Sequence, residues 1–327
     1  MEIKKNAMAE KADELQRIKL KLKDLISKQL SMNDYVPINL YEIRNYIYYG
    51  FSDKSLRPSY WKVLLNYYSP NKFKLEQFYK QARQAYTDIL NKTHKSNSNV
   101  RKLTSIINAE LERTDFDRIQ KASIGRILTA FSIINPKIGY VQGMINLVYV
   151  LYFVLSGDEN IETAKFAEED AFYLFNNLIS EMSNLFIDEF DDQKQGIRYK
   201  VNEVFQIIKT KDPELYNALA DKDLIKTMFP LKWILLLFSA EYPIDRTVWL
   251  WDKILSDAYR FEILLYCAAA VIILMRSIIL TETYDKCLAI LQKPSAINPE
   301  LVFDIADTMR RDDRDINQII KERMENK

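Results

Sequence analysis

Apolar residues recur along most of the chain at the three-to-four-residue spacing of helices, and the two-residue alternation of strands is not seen. The stretch 75–89 is one example, because a single helical face collects Leu75, Phe78, Ala82, Tyr86 and Ile89. Similar stretches cover residues 122–134, 145–157 and 167–186. We find neither a strand–helix alternation nor a repeat of fixed period. The pattern predicts an all-α protein.

Start and stop signals divide this pattern into separate helices. In "NLYEIRNYIYYG", Asn39 is a suitable N-cap and Gly50 a suitable stop. Residues 91–99, "NKTHKSNSN", have the composition of a loop. Near the N-terminus, residues 8–30 predict an amphipathic helix with an apolar stripe of Leu15, Ile18, Leu22 and Leu25. Two heptads are too few for a coiled coil, so we expect this helix to pack on the domain.

The most apolar segment is also the one that most resembles a membrane span. Its uninterrupted part, from Ile263 to Met275, is 13 residues long, which is too short to cross a bilayer. A buried core helix is the better interpretation, and Cys267 inside it fits a structural thiol. Residues 1–30 are charged throughout, so no secretory signal is expected.

These segments suggest a division of the chain into four parts. We predict an N-terminal helical extension over residues 1–36 and a first helical lobe over 37–195. A second helical lobe follows over 196–318, and a charged tail over 319–327. The two lobes are expected to meet near residues 185–196.

Charge and rare residue types exclude several functional classes. The chain has 46 basic and 45 acidic residues with no basic segment, so we expect no nucleic-acid partner. His94, in the predicted loop, is the only histidine, and Cys267 and Cys287 are the only cysteines. A disulfide framework and a zinc site of the usual Cys/His kind are therefore not expected. We expect a cytoplasmic protein without a metal of its own.

The chain also lacks the usual loops that hold a phosphate or a calcium ion. Gly139 and Gly143 form the closest glycine pair, but "GYVQG" matches neither the dinucleotide fingerprint nor the P-loop. The acidic segment "DEFDDQKQG" lacks the alternating ligands of a calcium loop, and a solvated turn is its expected structure. We therefore do not expect the protein to bind a nucleotide alone.

Three short motifs follow one another in the first half of the chain. They read "RPSYWK" from Arg57 to Lys62, "INAELERT" from Ile107 to Thr114, and "YVQGM" from Tyr140 to Met144. Taken alone, Arg113 fits an exposed arginine at a helix end, and Gln142 fits a structural amide at a helix start. Together and in this order, the motifs resemble the signature of TBC-domain proteins, which stimulate GTP hydrolysis by Rab GTPases.

The resemblance covers about residues 40–310 and includes the later "FPLKWILLLFSAEYP" and "WLWDKIL" stretches. Residues 165–310 resemble the TBC1 domain family member 13 type, without the long insertion that this type carries before the arginine motif. The sequence departs from the family pattern at Glu110, where Asp is usual, and at Ile145, where Asn is frequent. The fold implied is the two-lobed helical TBC domain.

The resemblance also implies roles for individual residues. Arg113 would be an arginine finger and Gln142 a glutamine finger, both supplied in trans to the GTPase. Glu110 would orient Arg113, while Tyr140 and Gly143 would shape the loop and let the Rab backbone approach. A further set would brace the catalytic lobe and consists of Arg57, Trp61 and Lys62. For Trp61, core packing and a binding role remain equal alternatives.

The expected partner is a Rab GTPase in its GTP-bound form, which brings GTP and Mg²⁺ with it. The chain itself would need no cofactor, would catalyse no reaction alone, and would act in vesicle trafficking as a monomer. We expect a cytoplasmic location with peripheral contact to endomembranes through the Rab. The alternative is a non-catalytic effector or scaffold that binds Rab-GTP without turnover.

Overall fold

The computed structural model describes residues 23–31, 36–50, 53–69, 71–93, 98–190 and 195–312, together with Arg17, Leu20, Lys21 and Ile316. Every regular element within these residues is helical, which confirms the all-α prediction. The α-helices are α1 (23–30), α2 (Leu40–Tyr48), α3 (Arg57–Leu64), α4 (Leu75–Thr93), α5 (Ser98–Leu111), α6 (Arg118–Ile134), α7 (Met144–Ser156), α8 (Ile161–Ala164), α9 (Ala167–Glu181), α10 (Ile197–Lys211), α11 (Pro213–Asp221), α12 (Leu231–Leu235), α13 (Ile244–Ser256), α14 (Glu262–Leu274), α15 (Arg276–Thr281), α16 (Tyr284–Leu291) and α17 (Pro299–Arg311).

Helix α1 docks on the domain through a buried amide. Gln29 Nε2 donates to Glu42 Oε2 at 2.8 Å, and Gln29 Oε1 accepts from the backbone N–H of Asn39 at 2.8 Å. Ile26 is fully buried beside it, and Lys23 pairs with Asp53 at 2.6 Å. The described part of the helix therefore packs on the domain as predicted. Leu15, Ile18 and Leu22 of the predicted stripe lie outside the described residues.

Helix ends follow the polar signals in the sequence. Asn39 caps α2 by accepting from the N–H of Glu42, as predicted. Asp117 and Gln120 form a reciprocal capping box at the start of α6, which begins earlier than its apolar pattern suggests. The predicted loop at 91–99 is shorter than expected, because α4 continues to Thr93 and α5 begins at Ser98. Residues 94–97, including His94, lie outside the described residues.

Two apolar helices form the centre of the core. Helix α7 packs against α6 and α9, and α14 packs against α10 and α17. Ten of the thirteen residues of α14 are buried, including Cys267, which confirms a core helix rather than a membrane span. No helix among the described residues has the length and apolar character required to cross a bilayer.

Helix α13 connects the two halves of the chain, because it packs against α2, α3, α7 and α17. Lys253 on this helix donates to the carbonyl oxygens of Ile47 and Tyr48 at 2.5 and 3.1 Å, capping the end of α2. The predicted division into lobes at 195/196 stays a prediction. The tail predicted at 319–327 lies outside the described residues.

The segment between α11 and α13 departs most from regular helix. Only α12 forms an α-helical turn there, although "LKWILLLF" is apolar apart from Lys232. Four non-glycine residues adopt left-handed backbone conformations, namely Asp223, Met228, Leu237 and Phe238. Trp251 Nε1 donates to the carbonyl oxygen of Leu237 at 2.9 Å and so holds this turn against α13. Tertiary contacts therefore override the local helical preference.

Candidate functional site

One carboxylate joins the arginine motif to the glutamine motif. Glu110 Oε2 accepts from the hydroxyl of Tyr140 at 2.5 Å, and Glu110 Oε1 accepts from the backbone N–H of Gly143 at 3.0 Å. Burial, together with the bond to Glu110, raises the pKa of Tyr140, so its hydroxyl stays protonated and donating. Both ends of the loop that carries Gln142 are thus tied to the last turn of α5.

Arg113 lies in the turn that follows α5. Its backbone N–H donates to the carbonyl oxygen of Glu110 at 3.1 Å, so the turn is continuous with the helix end. Phe116 in the same loop stacks on Tyr149 of α7, with ring centroids 4.0 Å apart and planes 17° apart. The capping box at Asp117 then starts α6. A stacked ring and a capped helix therefore fix the loop from one side.

Gln142 lies on the turn that starts α7, and the conformation of Gly143 determines this turn. Gly143 has φ +94°, a left-handed conformation that favours glycine. A Cβ at this position would lie 2.7 Å from Leu236 Cδ1, because Leu236 packs directly against the turn. Asn146 adds a side-chain bond to the carbonyl oxygen of Gly143 at 3.3 Å.

We predict that Gly143→Ala destabilises the protein more than Gly139→Ala. Both glycines have positive φ, which costs a non-glycine residue about 1–2 kcal/mol. Only Gly143 also has a close neighbour, and overpacking adds about 1–3 kcal/mol. Urea unfolding of the two variants measures the difference. Leu236→Ala should cost less in the Gly143→Ala background than in wild type, and equal costs would contradict this packing.

The two candidate finger residues extend into solvent from these fixed loops. The side chains of Arg113 and Gln142 are exposed, and neither makes a hydrogen bond or ion pair with the described part of the chain. A guanidinium offers a fork of donors with a permanent charge, and an amide offers both a donor and an acceptor. The site can therefore present one cation and one water-orienting group to a partner.

Arg57 and Trp61, in contrast, point into the interior. Arg57 Nη2 donates to Asp252 Oδ2 at 2.8 Å, and Trp61 Nε1 donates to Asp252 Oδ1 at 2.8 Å. The hydroxyl of Tyr60 donates to the same carboxylate at 2.9 Å. Trp61 also stacks on Trp251, with centroids 5.7 Å apart. Asp252 is fully buried, so helix α3 is held against α13 by a satisfied buried charge.

Lys62 takes part in a second buried cluster, around Asp170 of α9. Lys62 Nζ donates to Asp170 Oδ2 at 2.7 Å, and the hydroxyl of Tyr67 donates to Oδ1 at 3.0 Å. Arg83 of α4 adds a two-pronged pair at 2.9 and 2.8 Å. Burial alone would raise the pKa of Asp170, but the bonds and charges of Arg83 and Lys62 outweigh it and hold the pKa below its usual value.

This cluster predicts a loss of stability in acid. A carboxyl whose pKa is lower in the folded state stabilises the protein above its ordinary pKa of 3.8, and this contribution disappears as the pH falls through the folded value. The difference in unfolding free energy between wild type and Asp170→Asn should therefore shrink as the pH falls below about 4. Urea unfolding between pH 7 and pH 3 measures it, with Asp221→Asn as a surface control. A constant difference would contradict the prediction.

The structure shows which contacts two of the expected site residues make. Glu110 was expected to orient Arg113, but its carboxylate is occupied by Tyr140 and Gly143, and only the backbone links it to Arg113. Gly143 was expected to leave room for a partner backbone; it is buried and packs against Leu236 on one side, and the approach of a partner stays a prediction. Both residues shape the loop that carries Gln142. Arg57, Trp61 and Lys62 lie where bracing residues would lie.

The carboxylates that organise these clusters were not among the candidate residues expected from the sequence. Asp252 is the single acid within the apolar "TVWLWDKIL" run, and such an isolated charge is a usable signal of a buried partner. Asp170 is one of three consecutive acids at the start of α9, and neither it nor Leu236 has a distinguishing signal in the sequence. Among the described residues, no group of three or more His, Cys, Asp or Glu side chains is arranged to hold a metal.

The chain is similar to several known proteins. It is 36% identical over 169 residues to TBC1 domain family member 13 of Mus musculus, a match that covers 52% of this chain and 42% of the mouse protein. It is 26% identical over 253 residues to the GTPase-activating protein GYP1 of Saccharomyces cerevisiae, covering 69% of this chain and 39% of the yeast protein. The aligned part of the chain thus spans less than half the length of either relative.

The fold is similar to solved structures as well. The crystal structure of the Ypt/Rab-GAP domain of Gyp1p superposes with a TM-score of 0.76 at 23% identity, covering 88% of this chain and 97% of that domain. A family model described as the Rab-GTPase-TBC domain matches residues 54–280, which include all three motifs. These residues are more than half of the chain, and the chain therefore belongs to the Rab-GTPase-TBC domain family.

Proposed function

We propose that this protein accelerates GTP hydrolysis by a Rab-family GTPase, with Arg113 and Gln142 supplied in trans. The observation that carries the proposal is the Glu110 bridge, because it joins the two loops from which these exposed side chains extend. Membership of the family supports the same activity, since relatives such as GYP1 are named GTPase-activating proteins. The proposal concerns the described domain.

Arg113 stabilises the charge that develops during phosphoryl transfer. In hydrolysis of GTP, negative charge spreads over the oxygens of the transferred γ-phosphoryl group. A guanidinium placed there by a partner protein contributes about 10³–10⁵ in rate in other GTPases. The side chain of Arg113 is available for this role because it forms no bond within the described structure, so no internal ion pair must break before it reaches a ligand.

Gln142 orients the attacking water. Its amide carbonyl accepts a hydrogen bond from the water while its N–H donates to an acceptor on the partner. The tight turn at Gly143 and the buried Leu236 beneath it limit the motion of this loop. A group held on a fixed loop loses little conformational entropy when it reaches the reacting position.

The partner is the GTP-bound form of the GTPase, which carries its own nucleotide and Mg²⁺. The protein acts as an activator, needs no cofactor of its own and catalyses no reaction alone. We place it in the cytoplasm as a monomer, in contact with endomembranes through the Rab, where it regulates vesicle trafficking.

Single-turnover GTP hydrolysis across a panel of purified Rab proteins tests the proposal. Wild type should accelerate at least one Rab, while Arg113→Ala and Gln142→Ala should each lose most of the acceleration. Circular dichroism of both variants should match wild type, because neither side chain contributes a bond to the described fold. Acceleration of no Rab, or equal rates for the variants, would refute the catalytic role. Binding of Rab-GTP without turnover would instead indicate an effector.

A further inference from the structure

A depression of about 480 Å³ lies between α5 and α6, directly beneath the turn that carries Arg113. Its apolar lining comes from Leu111 at the end of α5, Phe116 in the loop and Ala122 on α6. Leu111 is buried and Phe116 is held by its stack on Tyr149, so the floor is fixed. Gly125 lets the helices approach closely at the base, since a Cβ there would already touch Leu111 at 3.4 Å.

The rim of this depression carries more positive than negative charge. Arg118 and Lys121 line it together with a single acid, Glu112. Lys121 pairs with Glu112 only loosely, at 3.4 Å, and the Glu112 side chain is 77% exposed, so the pair contributes little. The side chain of Arg118 is exposed and makes no hydrogen bond or ion pair with any described residue. Asp115 and Asp117 of the same loop do not line the depression, and Asp117 caps α6.

The position of the depression determines what must cover it. Glu112 is adjacent to Arg113 in the chain, and Phe116 is only three residues further, at most about 11 Å of extended backbone. A protein–protein interface of standard size buries about 800 Å² on each partner, which corresponds to a disc of about 16 Å radius. An interface of this size that is centred on Arg113 therefore also covers the depression.

Resting on the function proposed above, we propose that this depression is a specificity site of the interface with the GTPase. It receives an apolar side chain of the GTPase that is flanked by a carboxylate. The apolar group fills the space over Leu111, Phe116 and Ala122, and the carboxylate pairs with Arg118 at the rim. Ile119, which is 70% exposed beside Arg118, extends the apolar contact.

The chemistry of the fingers explains why such a site is needed. Arg113 contacts the nucleotide and Gln142 contacts the attacking water, and both of these ligands are the same in every GTPase. They cannot by themselves distinguish one Rab from another, so discrimination requires contacts with residues that differ among Rabs. An apolar pocket that borders the finger loop, with a cation at its rim that pairs with no described residue, provides such contacts without changing the geometry of the fingers.

Two substitutions test the site with matched controls. Ala122→Trp fills the depression, and Arg118→Glu reverses the charge at its rim; an acid is also tolerated in the first turn of a helix. Ala289→Trp and Lys293→Glu are the controls, since Ala289 is an exposed alanine lining a similar depression of about 500 Å³ at α16 and Lys293 is exposed in the following turn. Thermal unfolding of all four verifies that the fold is kept.

The expected result is a change in KM with little change in kcat. For the Rab that wild type accelerates, Ala122→Trp and Arg118→Glu should each raise KM about tenfold and alter kcat less than about twofold. Rising ionic strength should weaken the interaction of wild type more than that of Arg118→Glu. KM values equal to those of the controls would overturn the specificity site while leaving the finger mechanism intact.

Failure of the proposed GTPase activation is distinguishable from failure of the specificity site, because in the first case the wild-type protein itself accelerates no Rab. In that case the same variants are compared by Kd for Rab proteins loaded with a non-hydrolysable GTP analogue. Weaker binding than the controls supports the site in a non-catalytic complex. Unchanged binding, or no binding by wild type, overturns it.

Discussion

Arg113→Lys should lower the single-turnover rate of GTP hydrolysis by the partner Rab about 10³-fold or more, nearly as much as Arg113→Ala. Lysine keeps the positive charge but replaces the planar fork of donors by a single ammonium on a flexible stem. If the guanidinium bridges two oxygens in the transition state, charge alone will not replace it. The measurement is the observed rate constant with the protein in excess over Rab-GTP.

The loss should not come from the fold. The Arg113 side chain has no partner among the described residues, so its replacement removes no internal bond and the unfolding free energy should stay within about 0.5 kcal/mol of wild type. Arg101→Lys, on α5 and also exposed, is the matched control and should keep the rate within about twofold. An Arg113→Lys variant as active as Arg101→Lys would show that Arg113 is not the finger.

Helices with a strong apolar period could be predicted from the sequence, and α2, α7 and α14 begin and end close to the expected residues. The segment 224–238 could not be predicted in the same way. Residues 233–238 are all apolar, and the turn at Leu237 and Phe238 depends on Trp251, which is distant in sequence. Local pattern determines a helix only where no tertiary contact competes with it.

The candidate site shows the same limit. Motif order sufficed to select Arg113 and Gln142, because each motif is contiguous in sequence. The bond from Gly143 to Glu110 joins residues 33 positions apart, and no local sequence pattern predicts it. The longer Glu side chain, in place of the usual Asp, is fully used by its two donors. Ile145, the other departure, is buried, and Asn146 supplies the amide that contacts the turn.

Asp252→Ala should cost about 3–5 kcal/mol of unfolding free energy, a large part of the roughly 5–15 kcal/mol that stabilises a typical domain. The variant removes the counter-charge of the buried Arg57 and the acceptor of both Tyr60 and Trp61. Breaking a buried pair on one side leaves an uncompensated charge, which explains why the loss exceeds that of a surface pair. Urea unfolding followed by circular dichroism measures it.

Asp245→Ala on the same helix is the matched control, because this acid is exposed in the first turn of α13 and should cost less than about 1 kcal/mol. If Asp252→Ala does not fold, Asp252→Asn keeps the shape and one acceptor oxygen and should lie between the two. Equal costs for Asp252→Ala and Asp245→Ala would show that the cluster does not hold α3 to α13. A large difference would instead mean that residues from both predicted lobes unfold together. Asp252 lies in the second predicted lobe, and its three donors all lie in the first.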